Sequence, residues 1–180
     1  MIRAAILAAA AGAFTLAPAS AQIVPGIKAP ETAVDAMSIA QMMGCTFAVL
    51  GRPSPFDTSN LEGTVGLTFH EEAPEALLAV AGMDAGDTLA FTIDNPESEV
   101  WALNDRRADR CAVLAMDGDL EAASARFIGD FDQGIMEYKA ADGSTPEAAT
   151  YTSDPLSLQA TVIHSDGEGS PFAVITERKR

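Results

Sequence analysis

"SEVWALNDRRADRCAVLAM", Ser98 to Met116, reads as strand, turn and strand. "SEVWALN" and "RCAVLAM" are short runs rich in apolar and β-branched residues, and the polar cluster "NDRRADR" between them has turn composition. In the second run Cys111, Val113 and Ala115 alternate with Ala112, Leu114 and Met116, and both sets are apolar. A strand of that kind needs protein against each of its faces.

Working outward, "DTLAFTID" before this stretch is a third run of the same type, set off by the turn cluster "DNPESE". Near the C-terminus "LSLQATVIH" and "PFAVITER" flank "SDGEGS", the pattern of a hairpin whose loop exceeds two residues. Leu156, Leu158, Ala160 and Val162 alternate with Ser157, Gln159 and Thr161, which predicts one buried and one wet face.

Helical periodicity appears in three places. From Glu31 to Met43 the residues Ala33, Ala36, Ile39, Ala40 and Met43 share a face, and Glu31 follows Pro30 where the helix dipole favours negative charge. Gly44 then leaves two outcomes. If the helix stops there, "CTFAVL" is a short buried strand. If it continues, Phe47 and Leu50 extend the apolar stripe and Cys45 points away from it. "PEALLAVA", Pro74 to Ala81, has Pro at its first position and Gly82 just past its end. Asp119 to Ile128 has Asp117 or Asp119 as N-cap, Gly129 as stop, and Leu120, Ala123 and Phe127 inward. "GRPSPFDTSNLEG" and "ADGSTPEA" read as loops. The fold class expected is α+β: an antiparallel sheet of about five strands with two or three helices packed on one side. The sequence shows no internal repeat.

The N-terminus has the three parts of a secretory signal peptide over residues 1–21. Arg3 gives the positive region, Ala4 to Ala17 an apolar run too short for a bilayer, and Ala19-Ser20-Ala21 a cleavage site before Gln22. Residues 22–180 then form a single exported domain, periplasmic or secreted, with no membrane insertion after signal cleavage. The formal net charge of −15 disfavours nucleic acid and anionic membrane surfaces as partners, because both are held largely by Lys and Arg on phosphate. Two cysteines in an oxidising compartment suggest a disulfide, Cys45 to Cys111. Neither belongs to a C-x-x-C pair, so thioredoxin-like redox chemistry and covalent c-type haem lack their motifs.

The opening stretch also concentrates three of the eleven Lys and Arg residues. Arg106, Arg107 and Arg110 with Trp101 form a candidate binding corner, where guanidinium groups would take a carboxylate bidentately. The alternative is a solvated turn, with Asp105 and Asp109 as counter-charges worth on the order of 0–1 kcal/mol per pair.

Catalytic signatures are sparse. His70-Glu71-Glu72 and His164-x-Asp166 place a histidine beside carboxylates, but His70 lacks the second histidine of H-E-x-x-H. Starting an EF-hand loop at Asp117 or Asp130 puts Ala122 or Ile135 where glycine is required. G-x-S-x-G and P-loop motifs are missing, and Met37, Met42 and Met43 suit core packing better than copper. No metal and no cofactor is therefore expected. The expected function is a non-catalytic binding or accessory domain of the cell envelope, with a protein or small-molecule partner. The alternative is a small hydrolase-type enzyme using His70 or His164 with neighbouring carboxylates.

Overall fold

The computed structural model describes residues 29–52, 66–105, 107, 109–134, 137–142, 144–145, 148–164 and 171–179. The expected signal segment 1–21, most of the loop 51–63, Arg106 and Asp166 lie outside the described residues.

The fold is α+β. Its sheet is fully antiparallel and holds eight strands in the order β1-β2-β3-β4-β8-β7-β6-β5. The five strands expected from sequence are present as β2 (Thr88–Asp94), β3 (Glu99–Asp105), β4 (Arg110–Ala115), β7 (Leu158–Ile163) and β8 (Phe172–Arg178). Three more join them: β1 (Leu67–His70), β5 (Lys139–Ala140) and β6 (Ala148–Ser153). These three are short or polar, and "AATYTS" in β6 lacks the strong apolar alternation that marks a strand in isolation.

The connectivity occurs twice. A helix precedes β1 to β4, another precedes β5 to β8, and each set of four is a meander running inward from one sheet edge to the seam between β4 and β8. Both helices lie on the same face and share one hydrophobic core. This repetition of topology has no counterpart in residue identity.

The first helix does not stop at Gly44. It runs as α1 (Ala33–Ile39), a π-helical segment (Ala40–Cys45) and α2 (Thr46–Val49), so "CTFAVL" is not a strand. Thr32 Oγ1 accepts from Asp35 N–H at 3.1 Å, and the carboxylate of Glu97 accepts from Ala33 N–H at 3.0 Å, satisfying two of the otherwise unpaired first-turn donors. The π turn inserts one residue per turn and rotates the inward face. Gln41, Gly44, Cys45, Thr46 and Val49 are therefore buried, while Met43 is only partly so and Phe47 is exposed. The apolar stripe expected through Phe47, with Cys45 turned away from it, is corrected accordingly.

The pivot of that turn is the carbonyl of Gln41, which accepts from the N–H and the hydroxyl of Thr46. Helix α4 (Leu120–Asp132) covers the other half of the same face. Asp119 caps it through Ala122 N–H at 2.9 Å, and it passes through Gly129, its expected stop, because Phe131 one turn on is buried with Phe127.

Helix α3 (Glu75–Ala81) packs on the opposite face, so the helices are not confined to one side. Leu77, Leu78 and Ala81 meet Trp101, Leu103, Ala112 and Leu114 there. That supplies the second cover that the doubly apolar strand β4 requires. Gly82 ends α3 in the left-handed region at φ +63°, and a Cβ on it would come within 3.0 Å of Arg110 Nη1.

The bridge expected from cysteine count is present. Cys45 and Cys111 are joined with their Cα atoms 5.1 Å apart, both fully buried, tying the first helix to the centre of the sheet. Among the described residues no helix is long and apolar enough to cross a membrane.

Candidate functional site

The two histidines do not converge. His70, at the end of β1, points to the α3 face, since its register partner Ala90 belongs to that core. His164 follows β7 and meets α4 on the other face. Five strand spacings separate β1 from β7 in the sheet order, roughly 24 Å at the usual interstrand distance. A single site using both would have to reach through the sheet.

Each histidine has a local partner that sequence did not indicate. Ser124 Oγ and His164 Nδ1 lie 2.9 Å apart, joining mid-α4 to the end of β7. His70 Nε2 lies 2.9 Å from Thr92 Oγ1, and its ring centroid lies 4.6 Å from that of Trp101, with the planes tilted by 36°. Thr92 and Trp101 are cross-strand neighbours on β2 and β3, so the α3 side of the sheet near its first edge carries an ordered Thr–His–Trp group.

The described residues of the arginine corner, Trp101, Arg107 and Arg110, divide between separate contacts. Trp101 is buried beneath α3 with Leu77 and Leu114 as part of a core. Arg107 is 79% exposed and pairs with Asp87 at 2.9 Å, while Asp105 accepts from the Arg107 backbone N–H at 2.9 Å. Asp109 pairs with Arg178 at 3.9 Å. Arg110 pairs with Glu177 at 2.8 Å and donates to the Gly82 carbonyl at 3.1 Å, so it holds the C-terminus of α3 against β4 and β8. A cation at the C-terminal end of a helix is favourably placed for the dipole as well.

The rim around β1 exposes both apolar and acidic side chains, and a second exposed apolar pair, Met42 and Phe47, lies on the first helix. Among the described residues β1 is the outermost strand of the sheet and pairs with β2. Phe69 on this strand is 49% exposed. Glu71 and Glu72 follow it directly, both exposed, and Asp94 stands exposed beside its other end, where Asp94 N–H donates to the Gly66 carbonyl at 2.9 Å. Beyond the glutamates an open groove of about 910 Å³ runs along α3, with Leu78 and Met83 in its floor and Glu71, Glu72, Glu75 and Asp84 on its walls. The glutamates are plain in the sequence and their setting is not, because the edge position of β1 depends on the order of the whole sheet.

The chain matches no family model, no curated protein sequence and no solved structure. The reading of the site accordingly rests on its geometry. Among the described residues no three or more His, Cys, Asp or Glu side chains are grouped to hold a metal ion. The Asp117-Gly118-Asp119 turn works as a helix start, through the Asp119 cap.

Proposed function

We propose that the chain is an exported, non-catalytic domain of the cell envelope that acts by binding a protein partner at the β1 rim. The observation that carries this reading is Phe69: a large apolar side chain, half-exposed on an outermost strand and flanked by carboxylates. An exposed apolar residue on an edge strand is a natural place for another chain to dock. The fully buried Cys45–Cys111 disulfide accords with an oxidising compartment, and with a structural rather than redox role.

The test is site-specific photo-crosslinking in the native cell, with benzoylphenylalanine replacing Phe69 or, as control, the exposed Glu121 on α4. Adducts to one discrete envelope protein from position 69 and none from position 121 are expected. Equal or absent adducts at both positions contradict the reading. Export is tested separately by mass spectrometry of the envelope-fraction protein, where an N-terminus at Gln22 is expected and a retained Met1 contradicts it.

A second reading, the hydrolase, draws on the Ser124–His164 contact. It needs Ser124 to act as a nucleophile from the middle of α4, where the helix's own backbone N–H groups are bonded within the helix. Fluorophosphonate labelling of Ser124, abolished in His164→Ala, is the result that this reading requires.

A further inference from the structure

We infer that the β1 edge accepts an extended, basic segment of a partner protein, which adds to the sheet as a further strand. This rests on the binding reading above and specifies its mode.

The two edges of the sheet are built differently. At one end β5 has only two residues and one of them is Lys139, exposed, and Glu137 just before it has a positive φ of 58°. Shortness, a lysine and an irregular backbone are features that keep another strand from pairing. At the other end β1 has four residues, Leu67-Thr68-Phe69-His70, with no Lys and no Pro. Thr68 and Phe69, on opposite faces of the strand, are both exposed, while Leu67 is buried in the core. An added strand would satisfy the outward backbone groups of β1 and lay an apolar side chain against Phe69.

Charge selects the occupant. Carboxylates stand at both ends of the strand, Glu71 and Glu72 beyond His70 and Asp94 beside Gly66, all exposed. Lys or Arg at the ends of an incoming strand would meet them. A second copy of this chain is a poor occupant, because pairing β1 with itself in antiparallel fashion brings Glu71 and Glu72 of one copy to the Asp94 end of the other. Like charges so placed oppose association.

The experiment measures fluorescence anisotropy of labelled eight-residue peptides added to the full mature chain. One probe alternates Val with Thr and carries Lys at both ends. A second replaces Lys by Glu. A third keeps the Lys but has N-methyl groups on alternate amides. The Lys probe is expected to bind at least tenfold more tightly than either other probe. It is expected to lose fivefold or more on Glu71→Gln with Glu72→Gln, and on Phe69→Lys, with unchanged unfolding midpoints. Neutralising Glu121 on α4 is expected to leave binding unchanged.

Equal binding of the methylated probe overturns strand addition, and equal loss with Glu121→Gln reduces the effect to net charge. No binding of any probe also overturns this mode, while a discrete crosslink at position 69 would leave the docking site standing. A dimer in light scattering that Phe69→Lys dissolves assigns the edge to a second copy and overturns the basic partner.

Discussion

Gln41 and Thr176, 135 residues apart, meet inside the core, with Gln41 Nε2 at 2.6 Å from Thr176 Oγ1. Thr176 on β8 is the register partner of Cys111 on β4, and Cys45 lies four residues beyond Gln41. One segment of the first helix therefore grips two adjacent central strands, by an amide–hydroxyl hydrogen bond on one and a disulfide on the other. Both β4 and β8 belong to the seam between the two meanders, so the π turn docks where the halves join.

The buried polar pair gives an asymmetric prediction. Thr176→Val removes the partner of a buried amide and is expected to cost about 1–3 kcal/mol. Gln41→Leu together with Thr176→Val removes both polar groups and is expected to recover part of that loss, because no unpaired polar group remains between them. Urea unfolding of the single and double variants checks this. A double variant no more stable than Thr176→Val alone contradicts it.

The disulfide closes a loop spanning 66 positions, for which the chain-entropy relation gives about 4 kcal/mol. Cys111→Ser is expected to lower stability by a quantity of that order. Arg107→Gln, at an exposed pair, is expected to change it by less than about 1 kcal/mol. Guanidinium unfolding of each variant provides the values, and thiol titration of denatured, unreduced protein should find no free cysteine.

Legibility followed how local each feature is. The hairpin of β3 and β4 and the tail strands β7 and β8 were readable because their apolar runs and turn clusters are adjacent in sequence. Helix α3 was readable from Pro74 and Gly82. The passage through Gly44 was not, since the π turn depends on Gln41 reaching Thr176 at the far end of the chain. The face taken by α3 was not either, because an amphipathic helix does not specify which side of a sheet it will cover. Arg110 stood out in sequence as part of a charge cluster, but its partners Glu177 and Gly82 come from distant segments. The site at the rim was half visible: Glu71 and Glu72 were plain, and the openness of β1 emerged only from the strand order.

The two tyrosines of the chain form a pH probe. Burial pushes the Tyr138 phenol up to about 12. Tyr151 is pushed to about 12 by burial, with its hydrogen bond to Asp132 and the Asp132 charge adding to the effect. A pKa raised on folding means that the native state keeps a proton which the unfolded chain has released. Stability from this source is complete below pH 10 and is lost as pH rises toward 12. Absorbance at 295 nm should show little tyrosinate at pH 10.5 in the native protein and substantial tyrosinate in denaturant. A native titration centred at pH 10 contradicts the burial of both rings.

The openness of β1 is the point on which the functional account turns, and hydrogen exchange of the free protein measures it directly. Amides of β4 and β8, central in the sheet, should exchange only with global unfolding. Along residues 67–70, alternate amides face β2 and should be slowed, while the intervening amides should exchange within minutes. Protection of all four to the level of β4 would mean that the edge is already covered, and would contradict the account.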